Sequence, residues 1–282
     1  MRAKIIKPER RYKTEEIYKM KRFFAAIAAA LTLFAAGGAE AAALRVGTDA
    51  DFQPYEYYRE GDGAFTGFDV ELMEELAKLM GYDGVEFVEV SFHDLLGGLN
   101  EDKYDAAIAA LIVTAERRHE ADFSVPYAED RTVTVTVTGR AAPVGKNMKT
   151  VTEKGTTHMV FAQQNYAQQG EIIVADNIKQ AVDLLFAGKA GRAVTSKLSA
   201  RYLIENVYDR RLVITSEDGV AQPLAIAVRK GNAGLLDHIN AALAPCTERG
   251  ASDKPSAQHF RADQSPTLRA TRTAAPPRAP PP

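Results

Sequence analysis

The chain has 282 residues, 46% hydrophobic and 26% charged, enough to bury one large or two modest cores. Its formal charge of −2 is uneven: residues 1–41 hold nine Lys or Arg against four Asp or Glu, so the remainder carries −7. An acidic body argues against nucleic acid as a partner, and the single cysteine, Cys246, excludes an internal disulfide or a cysteine-based metal cluster.

Lys19-Met20-Lys21-Arg22 is a basic segment, residues 23–36 are an apolar run, and Gly37-Gly38-Ala39-Glu40-Ala41 offers an A-x-A cleavage site. Together these read as a secretory signal peptide over 1–41, cleaved near Ala41, with Met20 an alternative start. The run is shorter than the roughly 20 apolar residues needed to span a bilayer. No cysteine follows it, which excludes the usual bacterial lipoprotein anchor.

A short strand is expected over 44–48, then a loop rich in acidic and aromatic residues and a glycine turn at 61–67. Phe68, Leu72, Leu76, Leu79 and Met80 recur at helical spacing, with Gly81 at the C′ position. Residues 85–90 read as a strand, and Ser91 and Asp94 as a capping pair opening a helix through Leu99. Residues 104–111 read as a buried strand. Thr114 is a good N-cap, placing Arg117 at the third residue of a short helix, where a cation costs about 0.3–1 kcal/mol. A docked anion would reverse that sign, since a guanidinium fork and backbone N–H groups both suit a carboxylate. Glu116 and Glu120 allow the plainer reading of a solvated surface charge.

Residues 131–138 alternate Thr and Val, as an extended crossing segment would. A second α/β unit follows: strands at 149–152 and 171–174, a turn at Gly155-Thr156-Thr157, a helix over 178–186 stopped by Gly188, and strands at 193–195 and 212–215. Residues 219–229 return toward the first unit, and a late helix covers 234–244. The tail from Arg261, rich in Arg, Ala, Thr and Pro, reads as disordered. Alternating strands and helices imply parallel sheets, with ligand held where strand C-termini face a crevice. Asp49 and Phe52, Phe92, and residues 110–117 all follow strands onto that side.

The ordered set Leu44-Arg45-Val46-Gly47-Thr48-Asp49, Phe52, Pro54-Tyr55-Glu56, Gly67-Phe68-Asp69-Val70, Thr114-x-Glu116-Arg117 and Phe123-Ser124-x-Pro126-Tyr127 resembles the periplasmic solute-binding proteins of polar amino-acid ABC importers. The resemblance is dense over about eighty residues, looser over 146–244, and fades past Cys246. It implies an α/β, two-lobed type II periplasmic-binding-protein (Venus-flytrap) fold. Lobe 1 would comprise 42–130 and 221–260, lobe 2 139–213, with crossings at 131–138 and 214–220 and a tail at 261–282. It further implies a periplasmic monomer that captures a small carboxylated solute, a polar amino acid, and passes it to permease subunits. No cofactor and no catalytic residue is implied.

Carried over residue by residue, the resemblance makes Arg117 the bidentate clamp on the ligand carboxylate, which Lys would not match. Phe52 and Phe92 would sandwich the side chain, and Asp49 would contact a polar or cationic group on it. Lobe 2 departs from the family: Ile112 stands where a hydroxyl is usual after Ala110, Ser196 where an Asp receives the ligand ammonium, and Gly191 where another Asp is common. Glu153 or Asp49 could supply the missing charge, with Thr156 and Thr157 as carboxylate donors. A buried ammonium without an acid is costly, so a ligand without an amino group stays open. The alternative is a cyclohexadienyl (prephenate or arogenate) dehydratase on the same scaffold, with His158 and Glu153 as candidate general acids. His93, His119, His158, His238 and His259 lack metal-ligand spacing.

Overall fold

The computed structural model describes residues 42–139 and 147–253; the expected signal peptide and tail lie outside them. Lobe 1 opens with β1 (Leu44–Thr48), followed by a small antiparallel sheet of β2 (Asp51–Phe52), β3 (Glu56–Tyr58) and β4 (Phe65–Thr66). Helix α1 (Phe68–Leu79) buries Val70, Leu72, Met73, Leu76 and Ala77; of the stripe its spacing predicts, Leu72 and Leu76 are buried, and Phe68, Leu79 and Met80 are partly buried against the same core. It ends at Gly81, whose φ of 86° suits the C′ position. Strand β5 (Val85–Glu89) leads to a 3₁₀ turn, Phe92–Asp94, and α2 (Leu95–Asn100). Ser91 and Asp94 bond each other's side chains at 2.6 Å rather than the backbone, so the expected capping pair closes on itself.

The strand expected over 104–111 is two residues long, β6 (Ala106–Ala107). Beyond it the chain leaves the sheet, and Ala110 adopts a φ of 44°. A single helical turn, α3 (Arg117–Glu120), precedes β7 (Ala121–Phe123). The chain then crosses to lobe 2 in β8 (Ala128–Val137). There β9 (Thr150–Glu153), α4 (Thr157–Tyr166), β10 (Ile172–Ala175), α5 (Ile178–Phe186), β11 (Arg192–Ser196), α6 (Lys197–Tyr202) and a π-helical turn, Leu203–Val207, follow. Strand β12 (Leu212–Leu224) crosses back to β13 (Ala227–Arg229) and α7 (Ala233–Asp253).

The main sheets run β5-β1-β6-β13-β7 and β10-β9-β11-β8-β12. Each is mixed rather than wholly parallel: β13 pairs antiparallel with β6 and β7, and β8 with β11 and β12. The antiparallel members are those entered as the chain returns between lobes. Strands β8 and β12 pair from Leu212↔Val137 to Leu224↔Ala128, with irregularities between Ile214 and Ser216 and between Asp218 and Gln222. Bulges bend and twist a strand, which suits a crossover.

Leu44, Val46, Leu76 and Ile108 pack one face of the lobe 1 sheet; Leu95, Leu99, Tyr104, Leu111 and Phe123 pack the other. Val133, Val151, Ile178, Val182 and Leu185 form the lobe 2 core. Each large apolar side chain removed from water contributes about 1.5–3 kcal/mol. These two cores hold the parallel strands so that β1, β6 and β9 aim their C-terminal ends at one crevice.

Candidate ligand-binding site

That crevice opens between the lobes, with about 320 Å³ of space including its solvent-open mouth. It is lined by Asp49, Phe52, Phe92, Ala109, Ala110, Ile112 and Arg117 from lobe 1, and by Glu153, Thr156, Thr157 and His158 from lobe 2. The lobes meet closely around it: a Cβ at Gly155 would lie 3.1 Å from the His93 Cα, and Gly155 has a φ of 76°. The positive φ favours glycine there, and a Cβ would crowd His93.

On lobe 1 the polar groups are anchored by their own lobe. Asp49 leaves β1 and accepts a hydrogen bond from the Phe92 N–H at 2.9 Å. Burial pushes its carboxyl above the ordinary range against that bond. The Ala110 N–H donates to Asp69 Oδ2 at 2.7 Å. Arg117 has its N–H capped by Thr114 Oγ1 at 3.2 Å, as the spacing predicts. Its Nη1 donates to the Ile112 carbonyl at 2.7 Å and its Nη2 crosses to the Gly155 carbonyl at 3.1 Å. The guanidinium carbon sits 5.1 Å from the Phe92 ring centroid, a cation–π distance. Burial lowers its pKa to about 10, so it stays charged at neutral pH. Among the described residues it forms no ion pair with a carboxylate.

The single turn of α3 is too short to act as the anion-binding helix end expected beside Arg117. The ten-residue α4 is better placed, because its first residues line the cavity. Thr156 caps it, accepting from the Met159 N–H at 3.1 Å and donating to the Glu153 carbonyl at 2.8 Å. The Thr157 hydroxyl and His158 Nδ1 are buried with no hydrogen-bond partner. Burial, then the nearby Arg117 charge, lowers the His158 pKa to about 4. Its imidazole is neutral at neutral pH.

Glu153 ends β9 with 5% of its surface exposed. Among the described residues no donor reaches its carboxyl. Burial first, then Asp49 and Asp51 across the cleft, pushes its pKa well up. Asp51 is drawn up to about 7 by burial and by Asp49, and its Oδ1 is buried without a donor. Carboxyls from both lobes therefore converge with no basic partner among them.

Nine of the ten sequence candidates line this cavity: Asp49, Phe52, Phe92, Ala110, Ile112, Arg117, Glu153, Thr156 and Thr157. Ser196 does not. It ends β11 and caps α6, its hydroxyl accepting from the Ser199 N–H at 3.1 Å and bonding Asp130 Oδ2. Asp130 also accepts from Tyr55 Oη at 2.8 Å, so Ser196 belongs to a buried joint between the lobes. Ile112 contributes a carbonyl to Arg117 in addition to its apolar side chain. Ala109 and the neighbouring Asp51 were missing from the candidates; His158 had entered only as a candidate general acid, from its place directly after Gly155-Thr156-Thr157. Among the described residues no cluster of His, Cys, Asp and Glu could hold a metal ion.

The model of the bacterial extracellular solute-binding proteins, family 3, matches residues 44–262. The L-cystine-binding protein TcyA of Bacillus subtilis is 27% identical over 228 residues, covering 79% of this chain and 82% of its own. The cyclohexadienyl dehydratase of Pseudomonas aeruginosa is 30% identical over 173 residues, covering 57% of this chain and 62% of its own. A solved ancestral arginine-binding protein bound to arginine, 30% identical, superposes with a TM-score of 0.71 over 79% of this chain and 100% of its own. With two lobes, a crevice between them and a family match across nearly all the described residues, the chain belongs to the bacterial extracellular solute-binding proteins, family 3.

Proposed function

We propose that this protein captures a cationic amino acid between its lobes in the periplasm and delivers it to ABC permease subunits, without catalysing a reaction on it. One observation carries the reading: among the described residues, the cavity holds a buried guanidinium with no anion at Arg117 and a buried carboxyl with no cation at Glu153. Unanswered buried polar groups are costly, and a ligand carrying both signs relieves both ends at once.

The carboxylate would lie between the Arg117 fork and the N-terminus of α4, where the Thr157 hydroxyl lacks a partner. A cationic group would meet Asp49 and Glu153, with Phe52 and Phe92 beside its apolar stem. The arginine-bound ancestral protein and the cystine-binding relative support an amino acid as cargo. Export through the signal peptide over 1–41 belongs to this reading.

The test is calorimetric titration of the secreted protein with L-arginine, L-lysine, L-histidine, L-glutamine and L-cystine. Saturable binding of a cationic amino acid, lost in Arg117→Ala, is expected. Equal or tighter binding of neutral amino acids would overturn the cationic assignment.

A dehydratase reading is favoured by one feature. Burial pushes the Glu153 carboxyl toward its protonated form, so it could deliver a proton to a leaving hydroxyl. His158, neutral with a pKa of about 4, is the weaker candidate. Release of phenylpyruvate from prephenate, lost in Glu153→Gln, would establish it; no turnover leaves capture as the activity.

A further inference from the structure

Two segments that the sequence presents as separate motifs are docked on each other. The Phe68 N–H donates to the Pro54 carbonyl at 3.0 Å, and the Asp69 N–H to the Tyr55 carbonyl at 2.9 Å. Gly67, at a φ of 140°, permits this, because a Cβ there would lie 2.0 Å from the Tyr55 oxygen. The docking brings two acids together. Glu56 and Asp69 are both 0% exposed.

Both Glu56 oxygens and Asp69 Oδ1 are buried without a hydrogen-bond partner. The two carboxyls lie close enough for each to shift the other's titration. A bond between them needs a proton on one of the two. Around the pair stand Tyr127, Tyr55, Asp49 and Glu153, and no cationic group bonds either carboxyl among the described residues. Two bare carboxylates there would have nothing to offset their burial and repulsion.

We propose that Glu56 and Asp69 share one proton and thereby hold the Ala110 peptide in the conformation that receives ligand, which makes them positioning residues for capture. Asp69 Oδ2 accepts from the Ala110 N–H at 2.7 Å and from Tyr127 Oη at 2.9 Å. With the Glu56 proton as a third donor, the buried anion is fully bonded. Ala110 is the residue that needs holding, since a φ of 44° places it in the left-handed region that a Cβ disfavours. It lines the cavity, and two residues later the Ile112 carbonyl steadies Arg117 at 2.7 Å. A shift of this peptide would therefore reach the guanidinium. Burial pushes both carboxyls up, and the donors from Ala110 and Tyr127 restrain Asp69, which places the anion on Asp69 and the proton on Glu56.

The test compares Glu56→Gln, whose amide still donates to Asp69, with Glu56→Leu, which cannot. The readouts are the Ala110 amide resonance and its exchange protection in the unliganded protein, and the dissociation constant for L-arginine. The Gln variant keeps the Ala110 signal and binds within about threefold of the unaltered protein, whereas a cooperatively folded Leu variant loses that protection and binds roughly tenfold more weakly. An unchanged Ala110 amide and unchanged affinity in the Leu variant overturn the proposal.

Should the Leu variant fail to fold, an alkaline pH series decides. Ala110 shift and affinity fall together in the unaltered protein and not in Glu56→Gln if the proton is shared; identical profiles in both overturn it. The proposal rests on the cationic reading only for its probe. If arginine fails to bind while Ala110 responds as stated, the ligand assignment falls and the positioning pair stands.

Discussion

The two walls of the cleft are finished to different degrees. On lobe 1 each polar group at the cavity is already held by its own lobe: Asp49 by the Phe92 amide, Ala110 by Asp69, Arg117 by the Ile112 carbonyl. On lobe 2 the Glu153 carboxyl, the Thr157 hydroxyl and His158 Nδ1 are buried and unanswered. Lobe 1 is thus a preformed receptor, while lobe 2 gains its missing partners only when something occupies the cleft. A ligand that contacts both walls stabilises closure through its differential affinity for the closed form.

The contrast can be broken most severely at Arg117, which spans both walls. Arg117→Ala is expected to weaken amino-acid binding by about 100-fold or more, since truncating a buried charged contact costs roughly 2–5 kcal/mol. The same change should leave the melting temperature of the unliganded protein unchanged or raised, because the guanidinium is buried without an anion. A fall in both would make Arg117 a structural residue.

Glu153→Gln tests the unanswered wall. Affinity for L-arginine is expected to fall by roughly tenfold while affinity for L-glutamine holds, the ratio being read by calorimetry. Equal losses for both ligands would place Glu153 away from the cationic group.

The acids also predict opposed pH slopes. Asp51 rises from an ordinary 3.8 to about 7 in the folded protein, so the native state holds more protons than the unfolded chain between those values. Its contribution to stability is present below pH 3.8 and lost as pH climbs through 7. Arginine affinity should rise over the same window, as protons cease to compete for the carboxyls. His158 acts the other way on stability: its depressed pKa of about 4 means support present above pH 6.5 and lost as pH falls. Thermal melts and titrations across pH 4–8 separate these, with Glu153→Gln flattening the affinity slope.

The smallest effect is expected at Thr157→Val. It removes an unpartnered buried hydroxyl, so the unliganded protein should gain stability while binding weakens about fivefold. No change in binding would move the carboxylate away from that helix end.

Legibility in the sequence followed the same divide. Lobe 1 could be read because local signals and tertiary roles agree there: α1 shows its apolar stripe, Gly81 stops it, and Thr114 caps the turn that carries Arg117. Where they disagree, the reading failed. Residues 108–111 look like strand, but the chain turns out at Ala110 because Asp69, forty-one positions away, takes its amide. Helix α4 escaped notice because Met159, Val160 and Phe161 are adjacent rather than spaced along one face. Ser196 ends a strand aimed at the right region, yet its hydroxyl is claimed by Asp130 and its own helix. Such competition between partners distant in sequence leaves no trace in local pattern.

The crossing strands carry a further consequence. Because β8 and β12 are zipped to each other from Val137 and Leu212 to Ala128 and Leu224, the two halves of the molecule are tied by a hydrogen-bonded ribbon as well as by covalent chain. Severing one peptide in the unpaired interval between Asp218 and Gln222 would leave the other strand continuous and most of the ladder intact. The molecule should tolerate nicking there and still open and close as one body on one ribbon.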